Sequence, residues 1–246
     1  NEVKTIGDFT PDALSGGTND SRVQIGKPVG SFYLVQFAGI DPEDGRPMYY
    51  DKNGNKTYKY DLNNRQYAGA GLPKAYGGIT NNFSYKNWGL SVFMVYSLGA
   101  KIFDSSGKRQ LGVVTDWNMR TDVFDRWQAP GDNNTFSRYT LNENNYGLQT
   151  GNPWWNTTLF VYKADYLRMK NISLSYNFKI KPESAVRSVS LSASVSNLFV
   201  ITNFPGLDPE LVRDFENAQD RNLSPNVTYL TPPQERSYFL TINASF

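Results

Sequence analysis

The chain has 246 residues, a formal charge of +2, no cysteine and no histidine. That composition excludes disulfides, thiolate and histidine metal sites and any histidine-based triad, and the balanced charge gives no reason to expect nucleic acid. Mean hydropathy is polar, and no apolar run approaches the roughly 18 residues that a membrane helix needs.

In chain order, a first irregular strand is expected over Ser31 to Ile40. Five segments of period-two alternation follow. Tyr76 to Tyr85 sets Ile79, Phe83 and Tyr85 against Gly78, Thr80, Asn82 and Ser84. From Trp88, residues Leu90, Val92, Met94, Tyr96 and Leu98 share one face. A short helix is expected between Thr115 and Gln128. In Tyr166 to Phe178, Ile172, Leu174, Tyr176 and Phe178 oppose Asn171, Ser173, Ser175 and Asn177. Val189, Leu191, Ala193, Val195 and Phe199 then oppose a ladder of serines from Ser188 to Ser196. The chain closes with Tyr238, Leu240, Ile242, Ala244 and Phe246 opposite Thr241, Asn243 and Ser245.

Alternation alone also fits a half-buried sheet of a soluble sandwich, which would bury Leu191, Val195, Leu240 and Ile242. Three features point to a transmembrane barrel wall instead. Connections alternate short (Lys86-Asn87; 179–187) and long (99–165; 203–234), as in barrels with tight periplasmic turns and long external loops. Aromatics gather at strand ends. Tyr85, Trp88, Tyr176, Phe178 and Phe246 lie near the short turns, and Tyr76, Tyr96, Tyr166, Phe199 and Tyr238 near the long loops, which predicts two interfacial girdles. The polar faces are Ser, Thr, Asn and Gly with almost no charge, as suits a watery or plugged lumen. The fold class expected is all-β, an antiparallel transmembrane wall with long extracellular loops. About six strands cannot close a barrel, because an open sheet in lipid leaves two edges unsatisfied. The remaining strands are therefore expected from an N-terminal part of the same polypeptide, with residues 1–246 as one C-terminal portion.

Several blocks of residues occur together. They are Gly26-Lys27-Pro28-Val29-Gly30-Ser31-Phe32-Tyr33, Leu72-Pro73-Lys74-Ala75-Tyr76-Gly77-Gly78 leading to Tyr85-Lys86-Asn87-Trp88, Tyr166-Leu167-Arg168-Met169-Lys170-Asn171-Ile172, and Asn197-Leu198-Phe199 followed by Gly206-Leu207-Asp208-Pro209-Glu210. Together they resemble the end of SusC/RagA-family TonB-dependent outer-membrane transporters. The resemblance implies an outer-membrane importer of oligosaccharides or peptides. Its partners would be the N-terminal remainder of the barrel with its plug, TonB acting through that plug, a SusD-like surface lipoprotein, and outer-membrane lipid. It implies no enzyme activity and no cofactor. The family's aspartate-rich loop is poor in acids here, near Asp51-Lys52-Asn53-Gly54. Turn chemistry accounts for this segment and for Asp41-Pro42-Glu43-Asp44-Gly45 without a metal.

Two sets of residues are candidate sites. Trp117, Trp127, Trp154 and Trp155, in the long loop, could stack on a ligand or grip a lid partner; they could equally form the loop's own core. Tyr238, Leu240, Ile242 and Phe246 resemble the C-terminal signal by which an unpaired last strand is templated during barrel assembly. The other readings are an importer-like barrel with a structural or assembly role and a soluble carbohydrate-binding sandwich.

Overall fold

Five long strands built on the predicted alternation make one antiparallel sheet, and almost everything else folds into a cap at one end of it. The structure, a computed structural model, describes residues 1–16, 20–111, 118–138, 156–213 and 218–246.

The first part of the chain contains Ser15–Gly16 (β1), Ser21–Arg22 (β2), Ser31–Val35 (β3), Phe37–Ile40 (β4), Pro47–Tyr50 (β5), Lys56–Thr57 (β6) and Arg65–Ala70 (β7). They form two small sheets, in the orders β1-β2-β3-β7 and β4-β5-β6. The strand expected over Ser31 to Ile40 is thus split between two sheets of the cap and does not join the wall. Its residues explain why: Ser31, Phe32, Leu34 and Val35 are all buried, a two-sided burial that a strand between lipid and water lacks.

The wall consists of Ala75–Tyr85 (β8), Trp88–Leu98 (β9), Tyr166–Phe178 (β12), Ser188–Ser196 (β13) and Ser237–Ser245 (β15), in the order β15-β13-β12-β9-β8. Two short strands, Lys101–Phe103 (β10) and Val161–Lys163 (β11), pair with each other just beyond the wall. Val200–Thr202 (β14) continues the line of β13 along β12. The wall strands have 9 to 13 residues, the span of tilted transmembrane strands.

Register puts the apolar sets of neighbouring strands on one face. Tyr85, Trp88, Tyr176, Leu191 and Ile242 form one row. Phe83, Leu90, Leu174, Ala193 and Leu240 form the next. The opposite face carries Ser84, Gly89, Ser175, Ser192 and Thr241, then Asn82, Ser91, Ser173, Ser194 and Phe239. No second sheet covers the apolar face among the described residues: Leu240 and Ile242 are 72% and 70% exposed. This is the barrel-wall arrangement and not the buried face of a sandwich.

The lower girdle is formed as expected. Trp88 and Tyr176 have ring centroids 4.7 Å apart, and Tyr176 meets Phe178 edge-on at 5.0 Å. The upper girdle is thinner than expected. Tyr96 and Tyr238 share the apolar face, whereas Tyr76 and Tyr166 lie together on the polar one, in the row through Ser97. Tyr76 follows the polar set of β8 with Gly78 and Thr80, and Tyr166 is turned inward by a bulge at Lys170, where β12 shifts register against β9 between Met169 and Asn171. Above it Leu167 and Met169 face outward; below it Ile172 and Leu174 do.

The molecule's apolar core lies in the cap. Phe32 and Leu34 of β3, Phe103 of β10, Leu111, Phe136, Phe160 and Val227 form one buried cluster, drawn from the segment before β8 and from the two long connections of the wall. Leu111 ends a short helix, Ser105–Leu111 (α1), which sequence patterning does not show because the apolar spacing of one turn is too brief to read. The helix expected from Thr115 to Gln128 is reduced, among described residues, to a 3-10 turn at Thr121–Asp125. Backbone hydrogen bonds stitch the connections: Phe103 N–H donates to Asn226 O at 3.0 Å, and Thr228 N–H to Phe103 O at 3.0 Å. A second helix, Ala218–Leu223 (α2), lies against β1, where Gln219 donates to Ser15 O.

Replacing Phe103 by Ala is expected to destabilise the cap by about 3–5 kcal/mol while leaving the wall intact. Limited proteolysis of the full-length protein in detergent checks this. Cleavage should concentrate in 99–165 and 203–236, and the barrel's resistance to heat in SDS should stay at the wild-type level.

Candidate functional site

The richest polar constellation sits where the cap meets the polar face of the wall. Above the bulge, parity turns Arg168 inward, opposite Val95 and Val200, and the bulged Lys170 lies beside it. Both reach the segment 205–210. Arg168 Nη2 lies 2.5 Å from Asp208 Oδ1, and its Nε lies 2.7 Å from Glu210. Lys170 Nζ is 2.9 Å from Glu210 and donates to Gln234 Oε1 at 3.0 Å. The Gln234 amide closes the ring by donating to Glu210 at 2.9 Å.

Asp208 is shaped for this role by its own turn: its carboxylate accepts the Glu210 N–H at 2.9 Å, a local bond typical of Asx turns. Arg168 and Asp208 are 3% and 4% exposed. The two residue blocks most characteristic of the sequence, Tyr166 to Ile172 and Gly206 to Glu210, are therefore each other's partners.

A second cluster ties the cap's connections together. Asp104 caps α1, accepting the Gly107 N–H at 2.9 Å and the Thr228 hydroxyl at 2.8 Å. Arg120 reaches Asp104 at 3.3 Å, Asp122 at 2.5 Å and the Pro205 carbonyl at 3.0 Å. Between these clusters lies a cavity of about 210 Å³ lined by Asp104, Arg120, Leu207, Asp208 and Thr231 among others. An inward recess of similar volume, about 220 Å³, runs from Ser97 and Tyr166 to Glu210. Two phenylalanines interrupt the otherwise polar inner face, Phe93 (38% exposed) and Phe239 (56%).

Of the four candidate tryptophans, Trp127 is described and Trp117, Trp154 and Trp155 lie outside the described residues. Trp127 is half-buried. It donates to Pro42 O at 2.8 Å, and its ring lies on Gly45, where a Cβ would fall 2.6 Å away. Only glycine admits that approach, and its φ of 72° suits the turn. Among the described residues of this loop, the exposed aromatic is Phe124, at 71%, which sequence reasoning did not single out. Tyr238, Leu240, Ile242 and Phe246 lie on or just after β15, which among the described residues pairs with β13 alone; all four are about two-thirds exposed or more.

The acidic turns carry out turn chemistry. Asp41 accepts from the Tyr58 hydroxyl and the Glu43 N–H, which hold its carboxyl below the usual range. Asp51 accepts from the Asn53 and Asn55 amides, with the same effect. Nearby Tyr49 is fully buried against Tyr60, with ring centroids 5.4 Å apart. Burial pushes the Tyr60 phenol up to about 12.

No family model matches the chain. In sequence it is similar to TonB-dependent receptor P3 of Formosa agariphila, 26% identical over 97% of this chain and 24% of the relative. It is also similar to TonB-dependent receptor SusC of Bacteroides thetaiotaomicron, 28% identical over 81% of this chain and 19% of the relative. Among solved structures it is similar to the RagAB peptide transporter, with a TM-score of 0.74 at 20% identity over 94% of this chain and 24% of that one. The RagAB peptide importer in its open-open state gives 0.75 at 18% identity over 100% and 25%. The chain thus spans about a quarter of the length of the relatives it matches.

Arg168→Met is expected to cost about 3–5 kcal/mol of cap stability, because it strands buried carboxylates. Adding Asp208→Asn should cost much less than that residue's change costs alone. Denaturant titration of the cap in the full-length protein, run as a double-mutant cycle, measures the coupling. Simple additivity of the two effects would show that the pair is not a unit.

Proposed function

We propose that this chain, similar to TonB-dependent receptors including SusC, is the C-terminal barrel wall and part of the external cap of a SusC/RagA-type importer of the bacterial outer membrane. The observation that carries the reading is the register. The described wall presents one continuous apolar face and one continuous polar face, with its long connections at a single end. That arrangement suits a wall with lipid outside and a hydrated or plugged lumen inside. The edges of β8 and β15 have no neighbour among the described residues, and lipid tolerates no open edge. The wall strands that complete the barrel and a plug then belong to the rest of the polypeptide, and β15 is the strand whose apolar residues guide assembly and closure.

In this reading the chain is a transport component and not an enzyme. Energy would come from TonB pulling on the plug. The Ser- and Asn-lined inner face offers a low-friction surface, and Phe93 and Phe239 are the points where apolar plug side chains would rest. The cap would form part of the outer vestibule against a SusD-like lipoprotein. Phe124, with Trp117, Trp154 and Trp155, would supply aromatic contacts to that partner or to cargo, while Trp127 braces the loop. The cargo proposed is oligosaccharides or peptides.

Cysteine scanning tests the wall directly, since the chain has no cysteine of its own. In the full-length protein, cleared of cysteines elsewhere, Ser173→Cys and Ser192→Cys should react with a water-soluble maleimide. Leu174→Cys, Leu191→Cys and Leu240→Cys should react only with a lipid-soluble one. Uptake of labelled oligosaccharide or peptide mixtures by cells with and without TonB then tests import. Equal aqueous labelling of both faces would refute the wall, and TonB-independent uptake would refute the mechanism.

A further inference from the structure

Just above the apolar band lies a group of lysines that the transport reading does not use. Lys101 and Lys163 are direct cross-strand partners in the β10–β11 pair. Like charges placed directly opposite destabilise a sheet. Lys101 and Lys74 line a surface groove of about 470 Å³ together with Tyr67 and Leu72. Lys27 Nζ sits 4.7 Å from the Tyr67 ring centroid. None of the four ammonium groups forms an ion pair among the described residues. The nearest carboxylate in the strand register is Asp165, which accepts the Gly99 N–H at 2.6 Å.

The groove is built to hold the lysine stems in place. A Cβ on Gly69 would fall 2.7 Å from Lys101 Cγ, and one on Gly99 would fall 2.9 Å from Lys74 Cγ. Both stems lie directly on glycine backbone.

Register also fixes which side this is. β11 runs almost straight into β12, so Lys163, Asp165, Leu167 and Met169 alternate onto one side and Ala164, Tyr166 and Arg168 onto the other. Leu167 pairs with Tyr96 and Ile201 on the apolar face. Ala164 and Tyr166 line the inward recess with Glu210. Lys163 and its cross-strand partner Lys101 thus stand on the lipid side, one step beyond the last apolar rows, at the height of the outer-leaflet headgroups, and Lys74 and Lys27 join them through the groove shared with Lys101 and Tyr67. Lysine clusters at that depth attract anionic lipid headgroups, and a phosphate between Lys101 and Lys163 would relieve their repulsion.

We propose that Lys27, Lys74, Lys101 and Lys163 bind the phosphate of an outer-leaflet glycolipid headgroup. The orientation rests on the outer-membrane wall described above, and the test separates the two. The probe is monophosphorylated lipid A, added to the full-length receptor purified in detergent and read by native mass spectrometry. Its enzymatically dephosphorylated form and inorganic phosphate are the comparators.

Wild type should retain the phosphorylated lipid, and the triple variant Lys74→Arg, Lys101→Arg, Lys163→Arg should retain it too. The triple Lys74→Gln, Lys101→Gln, Lys163→Gln should lose retention on the order of tenfold or more. If that triple fails to give a heat-resistant barrel, Lys163→Gln alone, on an exposed side chain, decides, with a drop of about fivefold expected. Unchanged retention in the Gln variants, equal retention of the dephosphorylated lipid, or displacement by inorganic phosphate at equal concentration would each overturn the proposal. A receptor that is monodisperse without detergent would instead refute the wall itself.

Discussion

The constraint on which the rest of this structure depends is that every backbone N–H and C=O inside hydrocarbon must find a partner within the protein. The wall meets it through continuous antiparallel ladders: Tyr76 to Tyr85 against Trp88 to Ser97, Tyr166 to Phe178 against β9 and β13, and Ser188 to Ser196 against β15. Once the ladder is fixed, side-chain parity leaves no freedom. A slip of one residue anywhere would carry Leu, Ile and Val inward and Ser and Asn into lipid. This is why the outer rows match across five strands, and why the single departure from parity, at Lys170, matters so much.

That bulge joins the two halves of the molecule. Without it Arg168 would continue the outward set of Ile172 and Leu174, placing a guanidinium in lipid. The extra residue turns Arg168 and the inner row of Tyr166 toward the lumen and leaves Lys170 beside them. Two cations on one strand then meet two carboxylates, Asp208 and Glu210, at the root of the last long connection. A buried ionic network is a weak source of net stability, because desolvation opposes the Coulomb gain. Its contribution is positional: it fixes where the 203–236 segment leaves the wall, and so where Val227 meets Phe103.

Much of this was legible in the sequence. Four of the five wall strands stand within a residue or two of where alternation puts them, because strict period-two patterning is a direct record of a two-faced environment; the fifth, β13, ends at Ser196, short of the expected Phe199, where Asn197 turns the chain. The bulge left only a trace, the switch of apolar positions from Leu167 and Met169 to Ile172 and Leu174, and the placing of Tyr166 in the outer girdle missed it. Three things were not legible. Ser31 to Ile40 reads as a strand, but nothing local says that it belongs to the cap. The pooling of Phe32, Phe103, Phe160 and Val227 depends on contacts between residues far apart in sequence. Placing Trp127 on Gly45 required two distant loops to be seen together. Local pattern records environment; it does not record partners.

The cap follows from the same physics in reverse. A barrel wall turns its apolar side chains outward, so it has no interior in which to bury them. Long connections must therefore find their own core or stay unordered. Among the described residues the two long connections pool theirs with the segment before β8: Phe32 and Leu34 from that segment, Phe103, Leu111, Phe136 and Phe160 from the first connection, Val227 from the second. Pooling makes the loops interdependent. A change at a connection's tip is felt through Arg120 at Pro205 and through Phe103 at Val227, both within the connection that Arg168 and Lys170 anchor to the inner face of the wall. The cap and the polar face are thereby one mechanical unit, while the apolar face below the lysines stays free to be lipid's alone.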